Sequence, residues 1–533
     1  MSHEREVARN AGVVGAATLL SRVLGLVREQ VMATLFGAGL ASDAFNVAFR
    51  IPNLMRDLFA EGAMSSAFVP TFTEVQSREG HDAAWAFGRQ LMLALTGALA
   101  LLCVIGWIAA PWLVHAFAPG FAAIPGKLEL TVRLTRIMLP FLPAVALAAV
   151  AMGMLNANGR FSVPALAPAL LNVGMVAGGL ALIPLFRAWG QPPVLAMAWG
   201  VLIGGLLQFV VQLPALAALG FRLRLEAPRR HPGVLRVAAL MTPATIGLAA
   251  TQLNLFVSTL IASLLPQGSV SWLWYAFRLM QLPIGVFGVA LATVSLPALS
   301  RAAVARDVPA LKGTLSATLR LVFVLTAPAA LWLAVMARPV IALLYEHGRF
   351  HGGDTVQTAN ALVTYCIGLP AFAAVGVLTR TFYALGDTRV PVRASFVSVA
   401  LNLILNLLFI GPLRGLGLGH VGLALATSLT AITNLLQLAW ALRARIGSLD
   451  GRRTLDTLAR VSLAAAIAVA PCALALWWSA DRWHRGAVAE AIVVLAGLVV
   501  SLGIGIGAMK LLRVQELETF ASLLGTLRRR VTG

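Results

Sequence analysis

Acidic residues are scarce. The chain carries 21 Asp and Glu against 41 Lys and Arg, and charged residues of both signs make up only 12% of its 533 positions. A soluble globular protein holds ~25% charged residues, so this composition excludes one. Polar–apolar alternation over strand-length segments is missing too, which excludes a transmembrane barrel with strands of about ten residues. Cysteine is rare: Cys103, Cys366 and Cys472 stand far apart, each inside an apolar run. They read as small buried hydrophobes, and neither a disulfide framework nor a metal site is expected. The opening MSHEREVARN has no basic n-region, short apolar core or small-residue cleavage site, so no removable signal peptide is expected. No GxxxxGK followed by Ser or Thr occurs, which argues against ATP hydrolysis by this chain.

What is present is apolar: 59% of the residues are hydrophobic. Runs of about twenty such residues, enough to cross a ~30 Å hydrocarbon core as a helix, recur from end to end. The class is an all-α polytopic membrane protein. Fourteen spans are expected, near 11–36, 44–75, 88–117, 130–156, 162–186, 193–220, 236–264, 270–299, 314–345, 357–385, 391–412, 418–441, 456–479 and 487–511. The connecting loops then alternate in charge. FRLRLEAPRRHPGVLR, RAAVARDVPALK, DTRVPVR, RARIGSLDGRR and LRRR fall on one side, while LPQGSVS, LRGLGLGH and APGFAAIPGKLE fall on the other. Basic loops stay in the cytoplasm, so both termini are expected there. The formal charge of +20 is therefore a topology signal and an attraction to anionic lipid, and no nucleic-acid partner is expected.

The sequence repeats itself. AFR at 48–50 returns at 276–278, each copy followed by two prolines, Pro52 and Pro70 in one and Pro283 and Pro297 in the other. LNANGRFSVP (155–164) matches FYALGDTRVP (382–391) in its Gly, Val and Pro, and Pro143 pairs with Pro370. An offset of about 227 residues equals six spans, an even number. Both halves then enter the membrane from the same side, as in transporters built from parallel repeats with a binding site between them. The expected organisation is an N-lobe over 1–225 (spans one to six) and a C-lobe over 226–448 (spans seven to twelve). Residues 449–533 would form spans thirteen and fourteen with a cytoplasmic tail, as a packing pair or as a groove for a lipid tail.

One stretch breaks the apolar pattern: SRVLGLVREQVMATLFGAGLASDAFNVAFRIPNLMRDLFAEGAMSSAFVP, residues 21–70. It puts Arg22 and Arg28 on span one and Arg50 and Arg56 on span two, while Arg278 sits at the repeat position on span eight. An arginine near the bilayer centre costs ~2.5–3.5 kcal/mol on insertion scales. Asp43, Asp57 and Glu61 offset part of this charge, and the local sum stays positive. Three readings stand: an anion-binding cavity, a structural ion-pair network, or snorkelling at helix ends, which suits Arg28 and Arg50 best. A guanidinium fork matches phosphate oxygens and is less costly to dehydrate than an ammonium, so a phosphate or diphosphate is the expected ligand. Pro52 interrupts span two and frees backbone carbonyls, which is tolerated where a helix lines a cavity.

These residues, together with GSVSWLWYAFRLMQLPIGVFGVALATVSLPALSR and FYALGDTRVPV, resemble the MurJ (MviN) family of bacterial lipid II flippases over at least residues 11–445. The resemblance implies the fold of the MOP exporter superfamily, related to MATE transporters: two six-helix lobes plus two C-terminal helices, opening alternately to cytoplasm and periplasm in the inner membrane. It also implies the substrate, an undecaprenyl-pyrophosphate-linked disaccharide pentapeptide moved outward for peptidoglycan synthesis, with wall-synthesis enzymes as candidate partners. Position by position, it puts the family's essential arginines on Arg22, Arg28, Arg56 and Arg278. A further basic position falls on Arg50, acidic ones fall on Asp43 and Glu61, and Pro52 lies among the moving helices. Two departures stand out. Phe277 replaces the acidic residue that many relatives carry before the span-eight arginine. Neutral Asn254, Asn402 and Asn406 stand where some relatives bind sodium through carboxylates, and weaker charge argues against a hard-cation site. No cofactor is expected, and coupling to the membrane potential or to an ion stays open. An exporter of another polyprenyl-pyrophosphate oligosaccharide, of O-antigen type, is the nearest alternative. A membrane enzyme acting on lipid-linked sugars is a more distant one, with Glu346, His347 and His351 of YEHGRFHGGD as its best candidates.

Overall fold

A computed structural model describes the backbone of residues 2–57, 62–224, 227, 231–478 and 486–517. It describes side-chain surroundings for 12–57, 64, 67–224, 227, 231–241, 252–478, 486 and 488–517. Among the described residues every regular element is a helix. Eleven helical segments among the described residues are long and apolar enough to cross a membrane. They coincide with eleven of the fourteen expected spans. The other three expected spans fall on a charge-bearing first helix, on a second span whose residues 58–61 lie outside the described set, and on a helix whose middle side chains lie outside it.

The chain divides into two compact units, residues 1–271 and 272–533. In the first, α1 (Ser2–Phe36) packs on α7 (Ser162–Val173), and α2 (Leu40–Arg56) packs on α5 (Lys127–Met138). α3 (Gly62–Glu79) meets α4 (His81–Phe117) and α11 (Pro232–Ser263), while α6 (Phe141–Ala157) meets α9 (Val194–Val210). Lipid supplies no hydrophobic drive between helices, so small residues that admit close backbone approach decide where helices touch. After α7 a π turn over Gly174–Gly178 leads into α8 (Gly179–Ala188). A Cβ on Gly174 would stand 2.3 Å from the Cα of Gly204 on α9, so only glycine fits this crossing. Phe68, Phe72, Trp85, Phe87 and Phe221 fill the core formed by α3, α4 and the segment after the short α10 (Leu213–Ala217).

α12 (Ser269–Pro283) begins in the first unit and carries the chain into the second. Pro283 is followed by a π turn over Ile284–Gly288 and then by α13 (Val289–Val304). The second unit continues with α14 (Val308–Val335), α15 (Ala337–Tyr345), α16 (Gly352–Ala384), α17 (Arg389–Arg414) and α18 (Gly419–Ile446). α16 is its centre, packing on α14 and α18. The last pair, α19 (Gly451–Trp478) and α20 (Ala487–Leu511), joins α14 through Val324, Ala327, Val461, Ala464, Ala508 and Met509. Arg320 of α14 adds a buried bond to Glu516. One face of the pair is therefore a packing surface, while Leu474, Trp477, Ile492 and Leu495, outside that face, are exposed.

The repeated motif is a helix-ending turn. Gly159 and Gly386 both adopt positive φ, 70° and 73°, a conformation that costs other residues ~1–2 kcal/mol. In the second copy Asp387 accepts from the backbone N–H groups of Arg389 (2.9 Å) and Val390 (3.2 Å) and pairs with Arg445 of α18. Burial pushes its carboxyl up, but these N–H donors and the Arg445 guanidinium together hold it below the usual carboxylate range. A depressed folded-state pKa contributes stability above the unfolded value of ~3.9, lost as pH falls through the folded value. Asp387→Asn is thus expected to lower the melting temperature at neutral pH, with the gap to wild type closing as the pH falls below 4. Melting curves of both proteins across that range check it.

Candidate functional site

Ser21, Gly25 and Arg28 share one stripe of α1, at the three- and four-residue spacing that brings side chains onto one helix face. That stripe faces Asn172 of α7. Arg28 is buried and donates from Nη1 to Asn172 Oδ1 at 3.0 Å, and its Nη2 pairs with Glu29. The Phe49 ring lies 5.9 Å from its guanidinium carbon. Asn172 in turn donates from Nδ2 to the carbonyl of Ser21 at 3.2 Å. Arg22, off this stripe, is half-buried and has no hydrogen-bond or ion-pair partner among the described residues.

α2 presents its arginines to α11. Arg50 donates to Thr259 Oγ1 and, at 3.4 Å, to the Leu255 carbonyl. Arg56 pairs with Asp57 at 3.0 Å, and Asp57 accepts from Gln252 at 3.3 Å. Gln252, Leu255 and Thr259 form a single stripe of α11. Pro52 is buried within α2 and has no N–H to offer the carbonyl four residues earlier. Asn254 is half-buried on α11. Glu61 lies outside the described residues.

At the start of α2, Asp43 is the hub of a closed polar joint. It is 1% exposed and accepts four bonds: from Lys127 Nζ (2.8 Å), Gly268 N (2.8 Å), Ser271 N (3.0 Å) and Ser271 Oγ (2.7 Å). Lys127, equally buried, also sits 4.1 Å over the Phe121 ring. Asp43 thus balances a lysine that opens α5, not one of the arginines it was expected to offset. The second unit makes a related joint with different groups. Trp272, near the start of α12, donates from Nε1 to Asp354 Oδ1 at 2.9 Å near the start of α16. Lys127 and Asp354 stand at the repeat offset.

Glu29, Lys127 and Asn172 are among the participants that the sequence does not single out. Only the adjacency of Glu29 to Arg28 left a signal.

In the second unit, Arg278 is half-buried on α12, its guanidinium carbon 5.3 Å from the centre of the Trp274 ring. Asn402 and Asn406 are fully buried on α17. Asn406 Nδ2 donates to Asn402 Oδ1 at 2.9 Å, Asn402 Nδ2 donates to Thr430 Oγ1 at 3.4 Å, and Thr430 donates to the Ala426 carbonyl. Asn406 Nδ2 takes the Asn402 oxygen, whereas Asn406 Oδ1 is buried and accepts no hydrogen bond among the described residues. Both side chains are neutral, and a hard cation favours carboxylate ligands. Among the described residues no group of three His, Cys, Asp or Glu side chains is placed to hold a metal. The YEHGRFHGGD turn is spent on structure: Glu346 accepts from Thr355 at 2.6 Å, and His351 with Asp354 caps α16.

The family model described as "Lipid II flippase MurJ" matches residues 32–497. The chain belongs to the lipid II flippase MurJ family. A MurJ of Burkholderia cenocepacia, named as a lipid II flippase, is 43% identical over 436 residues, covering 81% of this chain and 83% of that protein. A solved MurJ in an inward closed conformation superposes with a TM-score of 0.74 at 27% identity, covering 93% of this chain and 98% of the other. A multidrug-resistance MATE transporter of the MOP superfamily in an inward-facing conformation gives 0.63 at 16% identity, over 83% and 99% of the two chains. It shares the fold. MurJ membership makes this multi-pass membrane protein a transporter rather than an enzyme.

Proposed function

We propose that this protein is a lipid II flippase of the bacterial inner membrane, with both termini in the cytoplasm. It moves the undecaprenyl-diphosphate-linked peptidoglycan precursor from the cytoplasmic to the outer leaflet by alternating access. The match of the MurJ family model over 32–497 carries this reading. In it, Arg22, Arg28, Arg56 and Arg278 bind the diphosphate, with Arg50 in support. Arg22 has no partner among the described residues to spend its charge on, and an arginine so left on an apolar helix is costly unless an anion or water meets it. The Asp43–Lys127 joint serves as a closure on the exterior side, where the α4–α5 loop belongs by its low charge. The repeat divides the lobes at 1–225 and 226–448, with 449–533 appended, its exposed apolar face available to the polyprenyl tail. Neutral Asn402 and Asn406, where a hard cation favours carboxylates, support the membrane potential as the drive, worth ~2.3 kcal/mol per charge per 100 mV.

Replacement of the resident lipid II flippase in a depletion strain tests the substrate. Growth restored by this chain, and lost with Arg278→Ala at equal protein level, is the expected outcome. Restoration of O-antigen display without restoration of growth would instead identify an exporter of another polyprenyl-diphosphate oligosaccharide.

A further inference from the structure

We infer that Asn172 is a positioning residue for anion recognition, holding the Arg28 guanidinium through a neutral acceptor so that its orientation is fixed without further loss of charge. The inference rests on the reading above, in which Arg28 meets the diphosphate.

Both ends of the Asn172 amide are committed. Nδ2 donates to the Ser21 carbonyl at 3.2 Å, which leaves Oδ1 to face the guanidinium at 3.0 Å. The side chain is buried, and α1 comes close enough that a Cβ on Gly25 would lie 3.9 Å from the amide. Arg28 is therefore gripped from two sides by groups of different kind. Glu29 cancels its charge. Asn172 takes one N–H and cancels nothing. A guanidinium has five N–H donors in a fixed fork, so this grip sets which edge remains for a ligand.

The charge arithmetic makes position 172 sensitive in a way packing alone would not. Arg28 and Glu29 together sum to zero. A carboxylate at 172 would have almost the shape of asparagine and could still accept from Arg28, yet it would bring the trio to a net −1. A diphosphate arriving there would meet repulsion.

Equilibrium binding of undecaprenyl diphosphate in detergent micelles to the purified full-length protein tests this, with melting temperature as the folding control. Asn172→Ala should weaken binding about tenfold through lost orientation. Asn172→Asp should weaken it at least about a hundredfold through added charge, with translocation at saturating lipid much less affected than affinity. A purely structural role predicts instead that affinity falls only in step with melting temperature in each variant, because aspartate also lacks the donor to the Ser21 carbonyl. An aspartate variant that binds as well as the alanine variant, or better, overturns the inference. If Asn172→Asp fails to fold, Asn172→Ser decides: a short neutral acceptor should bind more tightly than alanine, and equality overturns the inference. Arg28→Ala in the same assay separates the two claims, since unchanged affinity there would remove the reading of Arg28 itself.

Discussion

Lys127→Met is expected to destabilise the first unit by about 3–5 kcal/mol, the usual cost of removing one partner from a buried ion pair. Asp43 would keep its three donors from Gly268 and Ser271 but lose the lysine that balances it at a site 1% exposed. Most of the penalty comes from the carboxylate left charged in a dry place. Asp43→Asn in the Lys127→Met background should therefore recover the larger part of the loss, because an amide oxygen can still accept from Ser271 and carries no charge. Melting curves of the four proteins in this cycle measure the coupling. A single variant that melts like wild type would show that the pair is not held as the geometry indicates.

Arg28→Lys is expected to lower affinity for a diphosphate lipid on the order of a hundredfold while leaving the protein folded. Charge-assisted hydrogen bonds contribute ~1.5–3 kcal/mol each, and lysine can neither form a bidentate fork nor reach Asn172 in the same plane. It does keep a positive charge beside Glu29, so the buried carboxylate is not abandoned. Arg28→Ala removes that charge as well and should lose both binding and part of the stability. Lipid binding measured beside melting temperature separates the two contributions. Lysine binding as tightly as arginine would mean that a point charge is sufficient and that the fork geometry around Arg28 is unused.

Much of this architecture was legible in the chain. Apolar runs located the helices because hydrocarbon demands a fixed length of continuous helix, and eleven candidate spans lie where the runs put them. The repeat was legible through its turns, since Gly159 and Gly386 occupy a conformation glycine alone adopts readily. The cost of intramembrane charge drew attention to Arg22, Arg28, Arg50, Arg56 and Arg278. Their partners were harder to read. Glu29 adjoins Arg28, but consecutive residues of a helix do not ordinarily face each other, so adjacency is a weak signal of the pair. Lys127 falls in a stretch whose sequence reads as a loop, its charge as topology, whereas in the fold it opens α5 and meets Asp43. Asn172 is neutral and 144 residues from Arg28, so neither hydropathy nor charge marks it. Charge cost finds the cations of such a site, whereas their neutral and distant partners require the packed helices.

The most direct test of the account is transfer of lipid II between leaflets of liposomes that contain only this protein. Lipid placed in one leaflet should reach the other chemically unchanged, faster with an imposed potential, and at the protein-free rate when Arg28 is replaced by alanine. Transfer that proceeds undiminished without that guanidinium, or lipid recovered in altered chemical form, would contradict it.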